Sequence, residues 1–228
     1  MTRPWLAAAL AAGVACGQAT TVKLPVPTVD GVTSVEAALA ARRSVRQYDD
    51  SALTLAEVSQ LLWAAYGVTR PMPGAPALRG GLRTAPSAGA TYPLEVYLVT
   101  GRVQGLEAGV YRYRSETHEL EPHAPGDRRA ALAEAALGQA WVAEAPAALV
   151  FAAVFERATG RYGARGRERY VWIDLGHSAQ NVYLQCAATG LGTVAVGAFD
   201  DTGVSRALGL PGTEAPLYIM PVGRPAAD

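Results

Sequence analysis

The first two segments with apolar residues at helical spacing each begin with a capping-box pattern, a threonine followed three residues later by a glutamate. Apolar residues at three- and four-residue spacing follow each pair, so one face of each helix would be buried. The pairs are Thr33 with Glu36 and Thr54 with Glu57. They predict one helix that ends near Arg43 and a second that ends at Gly67, where glycine can stop a helix.

Several later segments have the alternating or continuous apolar patterns that are typical of β-strands. They span residues 94–101, the two arms of a hairpin within 109–120, 146–155, 192–199 and 216–225. Before the first of them lies a stretch rich in proline, glycine and alanine, residues 69–93, which predicts a loop. Loops of that length are usually functional or disordered.

Residues 165–189 have a helical pattern that is unusually long, and shorter helices are predicted at 127–138, with Asp127 as N-cap, and at 200–210. The long segment is apolar on more than one side, which predicts a buried helix or one that packs against a second subunit. Strands and helices do not alternate regularly. This favours a layered α+β fold over a Rossmann or barrel plan.

Length and charge narrow the class of protein. A chain of 228 residues suits one sizeable domain. The 20 Lys and Arg residues balance the 20 Asp and Glu residues, which argues against nucleic acid as a partner, because proteins that bind it carry a basic excess. The two cysteines, Cys16 and Cys186, have no metal-ligand spacing, so no metal site is predicted. Cys186 lies in an apolar helical stretch and is expected to be a core residue.

The N-terminus predicts export. Residues 1–19 hold one early arginine and a short apolar run, as in a signal peptide, and small residues before Cys16 suggest a lipoprotein whose Cys16 is lipidated. Cleavage after Gly17 or Ala19 fits as well, and a buried or frayed helix is the alternative without targeting. The protein is expected in the periplasm or anchored to a membrane, and in the cytoplasm if the segment is no signal. Residues 20–32 form an extended lead-in and 33–228 the domain.

Three arginines crowd around a serine just after the first predicted helix. Arg42 and Arg46 flank Ser44, and Arg224 stands near the other end of the chain. Arginine presents planar donor forks that suit phosphate oxygens, so these residues are candidates for a phosphate site. A solvated helix end, where arginine is favoured by the helix dipole, is the alternative.

Small residues at two further places would let a backbone approach a flat ligand closely. They are Ser87, Ala88 and Gly89 in the first stretch and Gly197 in the second. A glycine-rich surface turn is the alternative reading of the first stretch. The glycine spacings match neither a dinucleotide fingerprint nor a Walker loop.

Four segments in order carry a family resemblance. They read ARRSVRQYDD, RTAPSAGATYPLEVYLV, DLGHSAQNVYLQCAATGLGTVAVGAFDD and PLYIMPVGRP. Together they resemble the nitroreductase-like flavoprotein family, specifically its SagB-type (thiazole/oxazole-forming) dehydrogenase branch. The resemblance covers about residues 33–226.

The resemblance implies an α+β fold with a central, mostly antiparallel sheet flanked by helices. It also implies an intertwined homodimer with FMN at the dimer interface. By the same resemblance Arg42, Ser44, Arg46 and Arg224 hold the FMN phosphate, Pro86, Ser87, Ala88 and Gly89 border the isoalloxazine ring, and Val196, Gly197 and Ala198 lie near flavin N5 and O4. Gln180 and Asn181 would belong to the interface or the cofactor's surroundings.

The implied activity is that of an FMN-dependent oxidoreductase, in which hydride passes through flavin N5 in a ping-pong sequence. The substrate would be a small organic or azoline-like molecule, and the electron donor could be NAD(P)H. Azoline-forming members of the branch have a Lys-Tyr pair before the long helix, whereas this chain has Arg161 and Tyr162. Because arginine is a poor general base, Tyr162 is the remaining catalytic candidate. His177 is expected to be a packed, hydrogen-bonded helix residue.

Two other functions stay open at this point. One is a flavin-free protein that binds another ligand on the same fold. The other is the azoline dehydrogenase subunit of a peptide-modifying complex.

Overall fold

The computed structural model describes residues 20–227. The predicted signal peptide and the lipidation of Cys16 lie outside the described residues. The helices are α1 (Val35–Ala41), α2 (Leu55–Tyr66), α3 (Arg129–Ala135), α4 (Ala140–Glu144), α5 (Glu156–Tyr162), α6 (Val171–Ala188) and α7 (Asp201–Leu208). The strands are β1 (Val22–Lys23), β2 (Val68–Pro71), β3 (Gly81–Arg83), β4 (Leu94–Thr100), β5 (Gly109–Arg114), β6 (Glu119–Pro125), β7 (Ala147–Ala153), β8 (Gly192–Thr193) and β9 (Ala215–Gly223).

A seven-stranded sheet forms the centre of the molecule, in the order β1-β6-β5-β4-β7-β9-β8. Every neighbouring pair in it is antiparallel. Helices α2 and α6 cover one face, and α3, α4 and α7 cover the other. The predicted α+β fold with a mostly antiparallel central sheet is confirmed.

The two central strands are buried at every position because helices cover both faces of the sheet. Along β4, Val96 and Leu98 pack into the core on the α2 and α6 side. Tyr97 and Val99 pack into the core on the other side. The alternation that predicts this strand therefore separates two cores instead of a core and solvent.

Helix α1 begins one residue later than its capping pattern predicts. Ser34 is the N-cap, and its hydroxyl accepts a hydrogen bond from Ala37 N–H at 3.1 Å. Thr33 instead donates its hydroxyl to Ala188 O in α6 at 3.2 Å. The Thr33 side chain therefore bonds α6 instead of capping α1.

The capping box of α2 is confirmed, with Thr54 and Glu57 each bonding the other's backbone N–H. The N-cap prediction for α3 is wrong. Arg128 occupies that position, and Asp127 binds the N–H of Arg129 at 3.0 Å and also its guanidinium. Asp127 therefore lies one residue before the N-cap and accepts hydrogen bonds from Arg129.

Residues 69–93 are more ordered than the loop that their composition predicts. Strands β2 and β3 form a two-stranded antiparallel hairpin within this stretch. The predicted strand 192–199 is shorter than expected, because the chain leaves the sheet after Thr193 and pairs again only at Val196. Helices α4 and α5 were not anticipated by the apolar pattern.

The long helix is confirmed, although residues Gly166–Tyr170 before α6 form a π-helical turn. Its inner face is buried, and Cys186 is 1% exposed, as expected for a core residue. Its outer face carries Trp172 and Ile173, which are 48% and 46% exposed. Within residues 20–227, none of the helices combines the length and the apolar composition that crossing a membrane would require.

Candidate functional site

The arginine-rich segment leaves α1 and runs beside β8. Arg42 closes α1, since its N–H donates to Ala38 O at 2.9 Å. Ser44 then pairs with Thr193 in a parallel bridge, and Val45 N–H donates to Thr193 O at 2.9 Å. The segment is therefore held as an extended strip along the edge of the sheet.

The C-terminal segment that carries Arg224 lies against this strip. Tyr48 pairs with Pro225 in an antiparallel bridge, and Asp49 N–H donates to Arg224 O at 3.0 Å. The structure thus brings together the backbones of both arginine-bearing segments.

The guanidinium groups of Arg42 and Arg46 are stacked on aromatic rings. The Arg42 guanidinium lies 5.5 Å from the ring centre of Tyr183 in α6, and that of Arg46 lies 5.8 Å from the ring centre of Trp141 in α4. Neither guanidinium forms an ion pair with a carboxylate of residues 20–227. A guanidinium stacked on a ring keeps its N–H edge free for an anion.

Tyr183 joins the strip to the segment that carries the other cofactor candidates. Its hydroxyl lies 3.3 Å from Ser44 Oγ and accepts a hydrogen bond from Ala195 N–H at 2.8 Å. Sequence reasoning missed this tyrosine, because its partners are distant along the chain or lie beyond the helix end.

The other two arginines of these segments already have partners. Arg43 donates to Ala40 O at 2.9 Å and to Arg42 O at 2.8 Å, so it caps the carbonyl end of α1. Arg224 forms an ion pair with Glu57 at 2.5 Å and donates to a backbone carbonyl before α2. The role of Arg224 in holding phosphate stays a prediction, since its guanidinium lies on a carboxylate here.

The Pro86–Gly89 loop is fixed by one buried carboxylate. Ser87 Oγ donates to Asp174 Oδ2 at 2.6 Å, and Ala88 N–H donates to Asp174 Oδ1 at 3.2 Å. Asp174 is 2% exposed. Burial raises its pKa, and the hydrogen bonds from Ser87 and Ala88 counteract this in part. Sequence reasoning missed Asp174, whose only signal is a single acid on the inner stripe of α6.

Gly89 lies against Arg161 and Tyr162 of α5. Its φ is +56°, and a Cβ there would lie 2.2 Å from Tyr162 Oη and 3.0 Å from Arg161 Cζ. Arg161 Nη1 also donates to Gly89 O at 3.1 Å. The structure thus places the candidate catalytic tyrosine directly beside the candidate flavin loop.

Helix α6 makes two further contacts with this region. His177 Nδ1 bonds Pro86 O at 3.2 Å, and Asn181 Nδ2 donates to Thr84 O at 3.3 Å. His177 is hydrogen-bonded as expected, but it is exposed and not packed in the core, because it lies on the outer side of the helix. Gln180 is also exposed.

The third candidate segment, residues 196–198, pairs with the sheet only at Val196. Val196 exchanges both backbone hydrogen bonds with Ile219, at 2.8 and 3.0 Å. Gly197 and Ala198 follow as exposed backbone, with Ala198 O accepting from Gln139 Nε2 at 2.9 Å. Among residues 20–227, no three His, Cys, Asp or Glu side chains are grouped as a metal ligand set.

This arrangement of segments matches a known family along most of the chain. A model of the Nitroreductase family matches residues 39–224. The chain belongs to the nitroreductase family. The resemblance carried by the four sequence segments is confirmed.

Two curated relatives of this nitroreductase-family protein support the assignment. MJ1384 of Methanocaldococcus jannaschii, a protein assigned to the nitroreductases, is 46% identical over 204 residues, which are 90% of this chain and 97% of the relative. The Microcin B17-processing protein McbC of Escherichia coli is 30% identical over 178 residues, 75% of this chain and 62% of McbC. The similarity to McbC agrees with the SagB-type branch.

Solved structures show the same fold. A nitroreductase-family structure from Ralstonia eutropha JMP134 has a TM-score of 0.77 and 33% identity, and the match covers 93% of this chain and 92% of that one. A chain of the Escherichia coli microcin synthetase complex McbBCD, with truncated pro-MccB17 bound, has a TM-score of 0.69 and 25% identity. That match covers 99% of this chain and 85% of that one.

Within one chain, the candidate segments do not converge on one place. Asp174 contacts the Pro86–Gly89 loop, whereas Tyr183 contacts Arg42 and Ser44. The two helix residues are nine positions apart, which corresponds to about 14 Å of rise and half a turn out of phase. The arginine strip and the loop therefore lie on opposite sides of α6.

Proposed function

We propose that this protein is an FMN-dependent oxidoreductase that acts as a homodimer on a small organic or azoline-like substrate. The observation that carries the proposal is the pair of ring-stacked guanidiniums of Arg42 and Arg46, which have no carboxylate partner among residues 20–227. With the Ser44 hydroxyl between them, they form a donor set that fits a phosphate monoester.

When bound, FMN would supply an atom, N5, that accepts a hydride from one substrate and gives it to the next. The chain's own residues would bind and orient it. Arg42, Ser44 and Arg46 would hold the phosphate, and the Pro86–Gly89 loop, kept rigid by Asp174, would border the ring. The exposed backbone at Gly197 and Ala198 would offer N–H donors to the ring's polar edge.

We propose a dimer because one chain presents the phosphate strip and the ring loop on opposite sides of α6. A complete site would combine the strip of one subunit with the loop of its partner. The outer face of α6, with the exposed apolar side chains of Trp172 and Ile173, supports a contact of this kind.

If the substrate loses hydrogen as a hydride and a proton, as in azoline oxidation, a group must also accept the proton. Tyr162 is the group in place for it, since its hydroxyl lies against Gly89. Arg161, whose guanidinium is 5.5 Å from the Tyr162 ring centre, would position the tyrosine and not act as a base. The processing role in McbC's name favours azoline oxidation in a complex as the second candidate function.

The first experiment is to express residues 20–228 and titrate the purified protein with FMN, following flavin absorbance and fluorescence. We expect Arg42→Gln and Arg46→Gln each to weaken FMN binding about 10- to 100-fold, because each change removes a charge-assisted bond. Arg43→Gln is the matched control and should leave FMN affinity unchanged, since Arg43 already caps α1.

Wild-type protein that takes up no FMN would instead support the flavin-free ligand-binding protein. If Arg43→Gln weakens FMN as much as the other two, the effect is one of overall charge and the assignment of Arg42 and Arg46 is wrong. Turnover of azoline peptides only in the presence of a cyclodehydratase partner would favour the second candidate function.

A further inference from the structure

A second group of arginines without ion-pair partners lies at the other end of α6. Arg161, Arg165, Arg167 and Arg169 are all exposed, and none forms a salt bridge within residues 20–227. The same segment has two exposed carboxylates, Glu156 and Glu168. In a chain with no net charge, this is a local basic excess. We call these four arginines, with Tyr162 and Tyr170, the basic–aromatic surface.

Three of the four guanidiniums are positioned by aromatic rings. Arg167 Cζ lies 4.1 Å from the ring centre of Phe155, and Arg165 Cζ lies 5.9 Å from that of Tyr170. Arg161 stands over Tyr162, whose ring meets Tyr170 edge-on at 4.8 Å. Stacking of this kind limits side-chain freedom while it leaves the guanidinium edges free to bond carboxylate or phosphate oxygens.

The backbone below this surface is tightly packed. Gly166 in the π-helical turn touches α5 so closely that a Cβ there would lie 2.6 Å from the carbonyl carbon of Ala158. This approach sets the turn that carries Arg167 and Arg169, with Arg165 just before it, against the helix that carries Arg161. The surface therefore belongs to a fixed corner of the fold.

The surface also adjoins the loop proposed to border the flavin ring. Arg161 donates to Gly89 O, and Tyr162 Oη lies against Gly89. An anionic group bound at these arginines would thus place the rest of a small molecule beside that loop.

We propose that the basic–aromatic surface binds the anionic group of the substrate, so that the protein selects organic carboxylates or phosphate esters over neutral molecules of the same shape. The consequence of this selectivity for catalysis rests on the proposed oxidoreductase function. The binding itself does not require that FMN be present.

The test compares two probes of nearly the same shape, the anion 4-nitrobenzoate and the neutral 4-nitrobenzamide. Their binding to the purified protein is measured by isothermal titration calorimetry at low salt, and FMN content is measured separately by absorbance. We expect the wild-type protein to bind the anion roughly 10-fold more tightly, with the ratio falling as salt rises.

The variant Arg165→Gln/Arg167→Gln should bring the two affinities to within about 2-fold of each other, because it removes two of the positioned donors. The variant Arg128→Gln/Arg206→Gln makes the same charge change at exposed arginines near α3 and on α7, and it should keep the wild-type ratio. Arg165→Lys/Arg167→Lys, which keeps the charge but not the stacked fork, should restore part of it. Thermal unfolding checks that each variant is folded.

Equal affinities for the two probes in the wild-type protein would overturn the proposal, as would a ratio that Arg165→Gln/Arg167→Gln leaves unchanged. A protein that takes up no FMN yet prefers the anion through these arginines would refute the flavin function alone. The proposal that the basic–aromatic surface selects anions would then still hold.

Discussion

Two separate features require glycine at position 89. Its φ is positive, and Tyr162 and Arg161 leave no room for a Cβ atom. Gly126 has only the first, since its φ is +84° and a Cβ there would meet nothing within 4 Å. The two glycines therefore separate backbone strain from the contact with Tyr162.

We predict that Gly126→Ala lowers the free energy of unfolding by about 1 kcal/mol, the cost of left-handed backbone for alanine. Gly89→Ala should cost about 1 to 2 kcal/mol more, because the added methyl must displace Tyr162 or the loop. It should also weaken FMN binding, whereas Gly126→Ala should not. Urea unfolding and FMN titration measure both effects, and equal losses for the two variants would contradict the assigned contact.

Side chains whose partners are near in sequence could be predicted, and those with distant partners could not. The Thr54–Glu57 capping box follows from a three-residue spacing. Asp174 carried no such signal, because its partner Ser87 lies 87 positions away. The ion pair of Arg224 with Glu57 was missed for the same reason, since its two residues are 167 positions apart.

Strand β4 carries a buried charge that the neighbouring elements neutralise. Glu95 is 7% exposed and accepts a hydrogen bond from Nε of Arg112 in β5 at 3.2 Å. It also forms ion pairs with Arg157 of α5 and Arg79 of the β2–β3 connection. Burial raises the pKa of Glu95, but the guanidiniums of Arg157 and Arg112 lower it by more, so the net shift is downward.

We predict that Glu95→Gln lowers the free energy of unfolding by about 2 kcal/mol at neutral pH, because it removes the buried counter-charge of the half-buried Arg157 and Arg79, whereas Arg112 keeps its ion pair with Glu214. Glu121→Gln is the matched control. Its ion pair with Arg114 is largely exposed, so the loss should be at most about 1 kcal/mol.

The stabilisation by Glu95 also depends on pH. Because the pKa in the folded protein lies below the ordinary value, the stabilisation is fully present above about pH 4.5. It is lost as the pH falls through the lower, folded-state pKa. Denaturant unfolding from pH 7 to pH 3 should therefore show the gap between wild type and Glu95→Gln closing in acid. A gap that stays constant to pH 3 would contradict the role of the charge.

Elements with a strong apolar pattern could be predicted, and short ones whose formation depends on packing could not. The runs that predict β7 and α6 are long and continuous, and both elements form. Helices α4 and α5 have five and seven residues, and helices this short are not stable without tertiary contacts. The β2–β3 hairpin could not be predicted, because the proline and glycine content of residues 69–93 indicates a loop.

At the scale of the whole molecule, exposed apolar side chains are concentrated on one side. Five of the large ones lie in residues 26–39, including Val35 and Leu39 in α1 at 64% and 51% exposure. Helices α1, α2 and α6, with the lead-in, surround an open groove of about 770 Å³. Because the strip and the loop of one chain lie on opposite sides of α6, we propose that a second copy docks on this side and that the strip of one chain and the loop of the other form the proposed cofactor site.

We predict that Val35→Asp/Leu39→Asp shifts the protein from dimer to monomer, because it places two charges in the apolar contact. FMN affinity should fall at least about 100-fold in the same variant, since a monomer holds only half of the proposed site, although neither residue belongs to the arginine strip or the loop. Leu137→Asp is the control, for Leu137 is 69% exposed on the α3–α4 side and should change neither property. Light scattering coupled to gel filtration, with FMN titration of each fraction, measures both. A monomer that binds FMN as tightly as the wild type would show that each chain contains a complete site, which the positions of Asp174 and Tyr183 on α6 argue against.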